Sequence, residues 1–286
     1  MSTPDTIYAK QYGTMVSMLA QQKGSRLRNT VTVKSGVVGE ETYMDQISAF
    51  EASVRGARLE KTNPTLAAYA RRRIALEDIF IAKAIDKMDD VRTLADPTSA
   101  IVKSGYAGIG RKIDDYIIAA ARGTAYTGKT GGTSTVLPST QKVAVGSTNM
   151  TLTKWLSALE ILNSNDVDPD EEKFLIIGSS QLTSLLNTTE IKSADFNSIK
   201  ALVNGQLDQF LGCKVIRSER LYKSSTTRYC LLYCKSGIGL AIGKDVTSNI
   251  DVLPTDHYAK QLYFSMSVGA SRLEESKVVE IACSEA

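Results

Sequence analysis

The longest regular pattern of apolar positions lies between Ile85 and Gly123. Within it Val102, Tyr106, Ile109, Ile113, Tyr116 or Ile117, and Ala120 recur at alternating steps of four and three. That spacing lines one face of an α-helix. Asp96 is placed to cap it, Pro97 suits a first helical turn where its missing N–H has no partner to lose, and Gly123 supplies a stop. A continuous helix from Pro97 to Arg122 would be about 39 Å long at 1.5 Å per residue. Such a length suits a helix running along the outside of a thin domain. Gly105, Gly108 and Gly110 interrupt the stripe and weaken it by up to about 1 kcal/mol each. They are either tolerated or mark the close approach of a neighbouring backbone.

Other periodicities flank this one. Tyr8, Tyr12, Met15 and Leu19 predict a short amphipathic helix ended by Gly24. From Thr30 to about Asp78 the pattern turns β-like, with Thr30 to Val33 and Arg73 to Leu76 on either side of a polar middle holding Arg55, Gly56, Arg58, Lys61 and Asn63-Pro64. That middle has few apolar residues with which to form a core. Ordering a backbone costs about 1–2 kcal/mol per residue, so the segment is either a flexible surface loop or is held by something outside itself, most naturally a second subunit. On a strand, Arg71 and Arg73 point to one face and Arg72 to the other. The run can therefore form ion pairs on both sides of an extended arm, which across an interface would fix register.

Downstream, Thr124 to Asn149 reads as loop with short strands. Thr151 to Leu162 reads as a one-faced helix, Phe174 to Ile177 as a buried strand, and Ser179 or Ser180 as the cap of a helix through Leu185. This order predicts a second lobe with a central sheet, roughly residues 124 to 245. Tyr258, Leu262, Phe264, Met266 and Val268 alternate as a half-buried strand does, and so do Val279, Ile281 and Cys283. Both late strands are expected to return beside the long helix.

At 286 residues, 43% hydrophobic and 23% charged, the chain can bury one large core or two modest ones. No apolar run approaches the roughly 18 residues a bilayer crossing requires, and MSTPDTIYAK has no hydrophobic signal core. The expectation is a protein made in the cytoplasm without membrane contact. A net charge of +3 is too small for a dedicated nucleic-acid binder. The first 34 residues, however, hold Lys10, Lys23, Arg26, Arg28 and Lys34 against Asp5 alone, an arm either facing nucleic acid or simply solvated. Cys213, Cys230, Cys234 and Cys283 lack a CxxC pair and read as reduced core thiols.

Three segments imitate chemistry. Gly123 to Thr130 matches G-x-x-x-x-G-K-[ST], a phosphate-binding loop in nucleotide hydrolases. That chemistry needs a strand before the loop and a helix after it; here a helical pattern precedes and Gly131-Gly132 follows. Asp166 to Glu172 begins like a calcium loop, but Glu171 stands where Gly is needed and Ile177 where a bidentate Glu should be. His257 is the only histidine, which rules out a multi-histidine zinc site. No catalytic residue, metal or cofactor is expected.

One family gathers these signals. Leu94 to Ser99, Gly110 to Asp115 and the Ile117 to Gly123 run resemble the spine helix of major capsid proteins of tailed double-stranded DNA bacteriophages. Arg71 to Asp78 and Ile85 to Asp89 resemble that family's return from its extended loop. Phe210 to Ile216 and Gly269 to Ile281 are similar to its last strands. The resemblance implies an α+β fold with an N-terminal arm (1–34), an extended loop (35–78), a discontinuous peripheral domain (79–123 and 246–286, spine helix 97–122) and an axial domain (124–245). It implies self-assembly into an icosahedral shell of hexameric and pentameric capsomers around double-stranded DNA held by non-specific contact. Scaffolding, portal and possible cement proteins would be further partners, and assembly would take place in the host cytoplasm. Arg55, Arg58, Lys61, Arg71, Arg72, Arg73, Gly108 and Gly110 become candidates for contacts between subunits. Lys23, Arg26, Arg28 and Lys34 become candidates for the DNA side. Lys61 lies in the loop where some relatives carry a crosslinking lysine. Deleting Val37 to Leu66 is expected to abolish shells and leave a folded body.

Overall fold

The computed structural model describes residues 21–58, 61, 64, 66–85, 98–187 and 209–285. The helix expected over Tyr8 to Leu19, the turn after Ile85 and the Asp96-Pro97 cap lie outside the described residues. The chain passes through β1 (Thr32–Ser35) into a hairpin of β2 (Glu41–Ile47) and β3 (Tyr69–Ala75), then directly into β4 (Glu77–Ile85) and the long helix α1 (Thr98–Arg122). A small hairpin of β5 (Ala125–Thr127) and β6 (Thr133–Thr135) follows, then β7 (Lys142–Val143), α2 (Leu152–Ser164), β8 (Lys173–Ile177) and α3 (Ser179–Asn187). Past residue 209 come β9 (Gln209–Phe210), β10 (Cys213–Arg217), β11 (Lys223–Ser224) and β12 (Thr227–Cys234). The long hairpin of β13 (Ile238–Leu253) and β14 (Ala259–Arg272) precedes β15 (Val278–Ser284).

The architecture is α+β, as the resemblance implies. With 25 residues, α1 is about 37 Å long. Ile109, Ile113 and Ile117 are buried as the stripe requires. Tyr106 is displaced to the flank, 43% exposed, because Gly105 lets the Phe264 ring occupy the space between helix and sheet. Tyr106 then meets Phe264 edge-on, with ring centroids 5.4 Å apart. The sheet beneath α1 has the order β1-β13-β14-β4, and Leu262, Phe264, Met266 and Val268 of β14 point at the helix and are buried. Tyr258, assigned to that strand by alternation, sits in the preceding turn, 62% exposed with φ 59°.

A second sheet runs β7-β15-β12-β8-β10-β9, with β11 paired to β12. Its centre is β8, whose five residues are all buried. Leu175, Ile176 and Ile177 each contribute about 1.5–3 kcal/mol by leaving water. α2 packs on this sheet through Trp155, Ala158, Leu159 and Leu162, its first turn closed by Thr151 Oγ1, which accepts from Lys154 N. The start of α3 is satisfied differently from the serine cap the sequence suggested. Ser179 is already helical, and its N–H donates to Glu219 Oε1 at 2.5 Å.

One expectation is corrected here. β15 does not lie beside α1 with β14; it pairs antiparallel with β12 from Thr227↔Ser284 to Tyr233↔Val278. Its inward residues Val279, Ile281 and Cys283 complete the core under α2. The alternation was sound, but alternation names a strand's buried face and not its partner. The third sheet, β2-β3-β5-β6, projects the β2–β3 hairpin away from the body. All four cysteines are buried and free. Among the described residues no helix is long and apolar enough to cross a membrane.

Candidate assembly surfaces

The projecting hairpin is fixed at its root. β2 and β3 pair from Glu41↔Ala75 to Ile47↔Tyr69, and the arginine alternation holds. Arg71 Nε meets Asp45 Oδ1 and Arg73 Nε meets Glu41 Oε2, each at 2.5 Å, on one face. Arg72 turns inward, and its Nη2 meets Glu275 Oε2 at 2.6 Å. The acids that receive these three arginines thus come from the chain itself. The Tyr43 hydroxyl, followed by Arg73, holds the Glu41 carboxyl below its usual range, and Arg71 does the same for Asp45. Beneath them Val37, Met44 and Leu76 close over Ile74, Ala241 and Leu273. Behind Arg72 lies Arg272, with no exposed surface. Its Nη1 donates to the carbonyls of Ala121 and Gly123 at 3.1 and 2.8 Å and its Nη2 to that of Thr135 at 3.0 Å. The guanidinium thereby satisfies the C-terminal carbonyls of α1, where a cation is favoured, and ties the spine to the root of the hairpin.

Beyond Ile47, among the described residues up to Ala68, the hairpin buries none of its side chains. Phe50, Val54 and Leu66 are 62%, 95% and 91% exposed. Arg58 and Lys61 are exposed as well, and Arg55 Nε donates to the carbonyl of Ala57 at 2.9 Å. Elsewhere the β4–β14–β13 sheet turns a face away from α1, and there the Phe80 and Tyr263 rings stack at 6.0 Å. Phe80 is 66% exposed. The pairing Ser267↔Asp78, Tyr263↔Ala82 and Asp251↔Gln261 puts Asp78 and Asp251 on that same face. The loop surface carries Arg55, Arg58 and Lys61 with Glu51, and the sheet face carries Asp78 and Asp251 with Lys244, each beside exposed apolar side chains.

The segment before β1 is clasped to α1. Asp114, buried, accepts from Gln22 Nε2 at 2.5 Å, Ser25 Oγ at 2.6 Å, Arg26 N at 3.2 Å and Leu27 N at 3.1 Å. Gly110 lies directly below: a Cβ there would come within 2.5 Å of Ser25 N and 2.6 Å of Gly24. The backbone that approaches Gly110 is the chain's own, and at Gly108 the neighbour is the Ile81 side chain at 2.8 Å. Of the four candidates for the DNA side, Arg26 donates to the Arg217 carbonyl at 2.6 Å, and Arg28 meets Asp245 at 2.8 Å. Lys34 reaches Thr42 Oγ1 and the Tyr43 carbonyl, and Lys23 is exposed.

The segments that imitate enzymatic sites have structural duties. Gly123 to Thr130 forms β5 and the turn into β6 after the end of α1, so no helix N-terminus follows it. Gly128 and Gly131 supply the left-handed turn, φ 97° and 65°. In the acidic loop, Glu172 pairs with Lys214 and Lys235, and Glu171 accepts from Ser236 N at 2.8 Å. His257 stands in the turn of the β13–β14 hairpin with φ 50°.

A family model described as phage capsid protein matches residues 5–285. The chain belongs to the phage capsid protein family. Solved structures agree in fold. The capsid of the cyanophage P-SCSP1u is 15% identical with a TM-score of 0.76, over 99% of this chain and 94% of that one. The cyanophage Pam1 capsid is 16% identical at 0.75, over 100% and 98%, and the head of the Helicobacter pylori bacteriophage KHP40 is 11% identical at 0.75, over 99% and 97%. Among curated protein sequences none matches. In this capsid protein the residues missed from the sequence are Asp114 and Arg272. Asp114 carries a readable signal: it stands four residues after Gly110 and three before Ile117, a charge in the phase of the buried stripe.

Proposed function

We propose that this capsid protein is the major, shell-forming subunit of a tailed bacteriophage head. Copies associate as hexameric and pentameric capsomers, and the loop beyond Ile47 of each copy lies on its neighbour. The loop is what supports this reading: Phe50, Val54 and Leu66 are presented to solvent on a hairpin whose root is rigid. An apolar segment without burial of its own orders when another surface supplies it. The outer face of β4, β14 and β13 offers the Phe80 and Tyr263 rings and the carboxylates of Asp78 and Asp251, with which Arg55, Arg58 and Lys61 would set register through exposed pairs of small individual value. Repeated many times in a closed shell, modest contacts add up. The role is mechanical and needs no cofactor or catalytic residue. Assembly in the host cytoplasm, with scaffolding, portal and cement proteins as partners and double-stranded DNA as contents, belongs to the same proposal, as does the division into arm (1–34), loop (35–78), peripheral (79–123 and 246–286) and axial (124–245) parts. The pairing of β15 (Val278–Ser284) with β12 departs from those bounds, since it joins the end of the 246–286 segment to the sheet of the 124–245 part.

The structure also refines where the loop can be cut. Val37 and Met44 pack against Ile74, so a deletion starting at Val37 would open the body. Replacing residues 49–67 by a short turn removes the exposed part alone. Negative-stain microscopy of the expressed chain should show closed shells for the wild type and none for this variant, which should stay soluble with a cooperative melt. Closed shells from the variant would refute the loop's role.

A further inference from the structure

The arm, the spine helix and the second lobe meet at a cavity of about 350 Å³ lined by Gln21, Gln22, Arg26, Arg111, Ser179, Arg217, Glu219 and Arg220. The charges around it are unevenly matched. Arg220 is held by Asp115 through its Nε at 2.5 Å and its Nη2. Glu219 is taken by the Ser179 N–H at 2.5 Å and by Arg228 at 3.3 Å. Asp114 is covered by the 22–27 segment. That leaves Arg26, Arg111 and Arg217. Arg26 spends one Nη1 bond on the Arg217 carbonyl, and Arg111 spends Nη1 on Gln21 Oε1 at 2.8 Å and the Gln22 carbonyl at 3.0 Å. Both are neutral acceptors. The Arg217 guanidinium has no protein partner among the described residues. Three guanidiniums with no carboxylate partner of their own line one hollow, whose one lining acid, Glu219, is already taken; such a set is suited to a tetrahedral oxyanion, which arginine binds through paired N–H bonds.

We infer that this cavity is a phosphate-binding site that takes one backbone phosphate of the enclosed double-stranded DNA. The inference rests on the proposal that the chain encloses DNA, and it relocates the DNA contact. Arg28 and Lys34 are engaged elsewhere, whereas Arg26 shares a built site with Arg111 and Arg217, residues the arm alone would not suggest. A contact made by guanidiniums to a backbone phosphate carries no base information, so binding is independent of sequence.

The test uses full-length unassembled protein and a short labelled duplex, with affinity measured against salt concentration. The double variant Arg26→Gln with Arg217→Gln should bind about tenfold more weakly, and its log–log salt slope should be shallower by about 1, the value for one lost phosphate contact. Lys244→Gln, exposed and outside the cavity, should leave the slope unchanged. Inorganic phosphate should raise the melting temperature of the wild type and not of Arg217→Gln. An unchanged slope in the double variant, or an equal change in Lys244→Gln, overturns the inference. Phosphate stabilisation with an unchanged duplex slope overturns the DNA assignment. Shell formation is scored separately by microscopy: normal shells from the double variant with an unchanged slope leave the capsid reading standing while the site fails.

Discussion

Asp114 has no exposed surface, although it stands on a helix lined by Ile109, Ile113 and Ile117, and its carboxylate gathers the side chains of Gln22 and Ser25 and the backbone N–H groups of Arg26 and Leu27. A buried charge is tolerated where hydrogen bonds replace its hydration. Asp114→Ala should lower stability by about 3 kcal/mol, since backbone donors at Arg26 and Leu27 lose their acceptor, and should speed tryptic cleavage after Arg26 and Arg28. Urea melts and a digestion time course check both. Glu285 offers a test by pH. Burial pushes its carboxyl up, but hydrogen bonds from Lys223, Arg228 and Gln181 outweigh this and bring its pKa down to about 2. A carboxylate lowered on folding contributes stability that is complete above its unfolded pKa of about 4.3 and lost as pH falls toward 2. Glu285→Gln should therefore be less stable than wild type near pH 6 and close to it near about pH 2, as read from urea midpoints across that range. A gap that persists at the acid end would contradict the assignment.

At the scale of elements, sequence and structure part where a partner had to be named. The helix from residue 98 to 122, the buried strand at 173–177 and the half-buried strand at 259–272 were legible because each has a period and a breaker. The arginine alternation was legible for the same reason, and Arg71, Arg72 and Arg73 face as a strand dictates. Their partners Asp45, Glu275 and Glu41 were not, since strand pairing and a contact spanning some two hundred positions leave no local mark. β15 was misplaced on the same ground. Gly269 shows what such contacts demand: a Cβ there would stand 1.9 Å from the Ala75 carbonyl, where β14 passes the end of the projecting hairpin. Gly269→Ala must push backbone apart, and a loss of about 3 kcal/mol or more is expected in thermal or urea melts. Gly243→Ala is the milder comparison, its nearest neighbours being 3.2–3.3 Å away. Equal stability of the Gly269 variant and wild type would show that the strands can separate at no cost.

At the scale of the whole molecule, the described residues form a packed body carrying a hairpin loop that it does not bury. Two sheets share one continuous apolar core that includes α1, α2 and α3 residues. The loop between β2 and β3 lies outside it with Phe50, Val54 and Leu66 exposed. That deficit was the most informative part of the sequence, because missing apolar residues are as readable as a periodicity. The sheet face proposed as the loop's cover was not readable, because β4 and the β13–β14 hairpin that form it lie far apart in the chain. Cover by a second copy is tested most directly by hydrogen exchange of the amides in residues 49–55, outside the Ser48 N–H bond to the Ala68 carbonyl. In unassembled protein they should exchange at nearly the rate of free peptide, and in closed shells at least about a hundredfold more slowly, as for groups opened only through an unfavourable step. Protection already present in the solitary chain, or none in the shell, would contradict it.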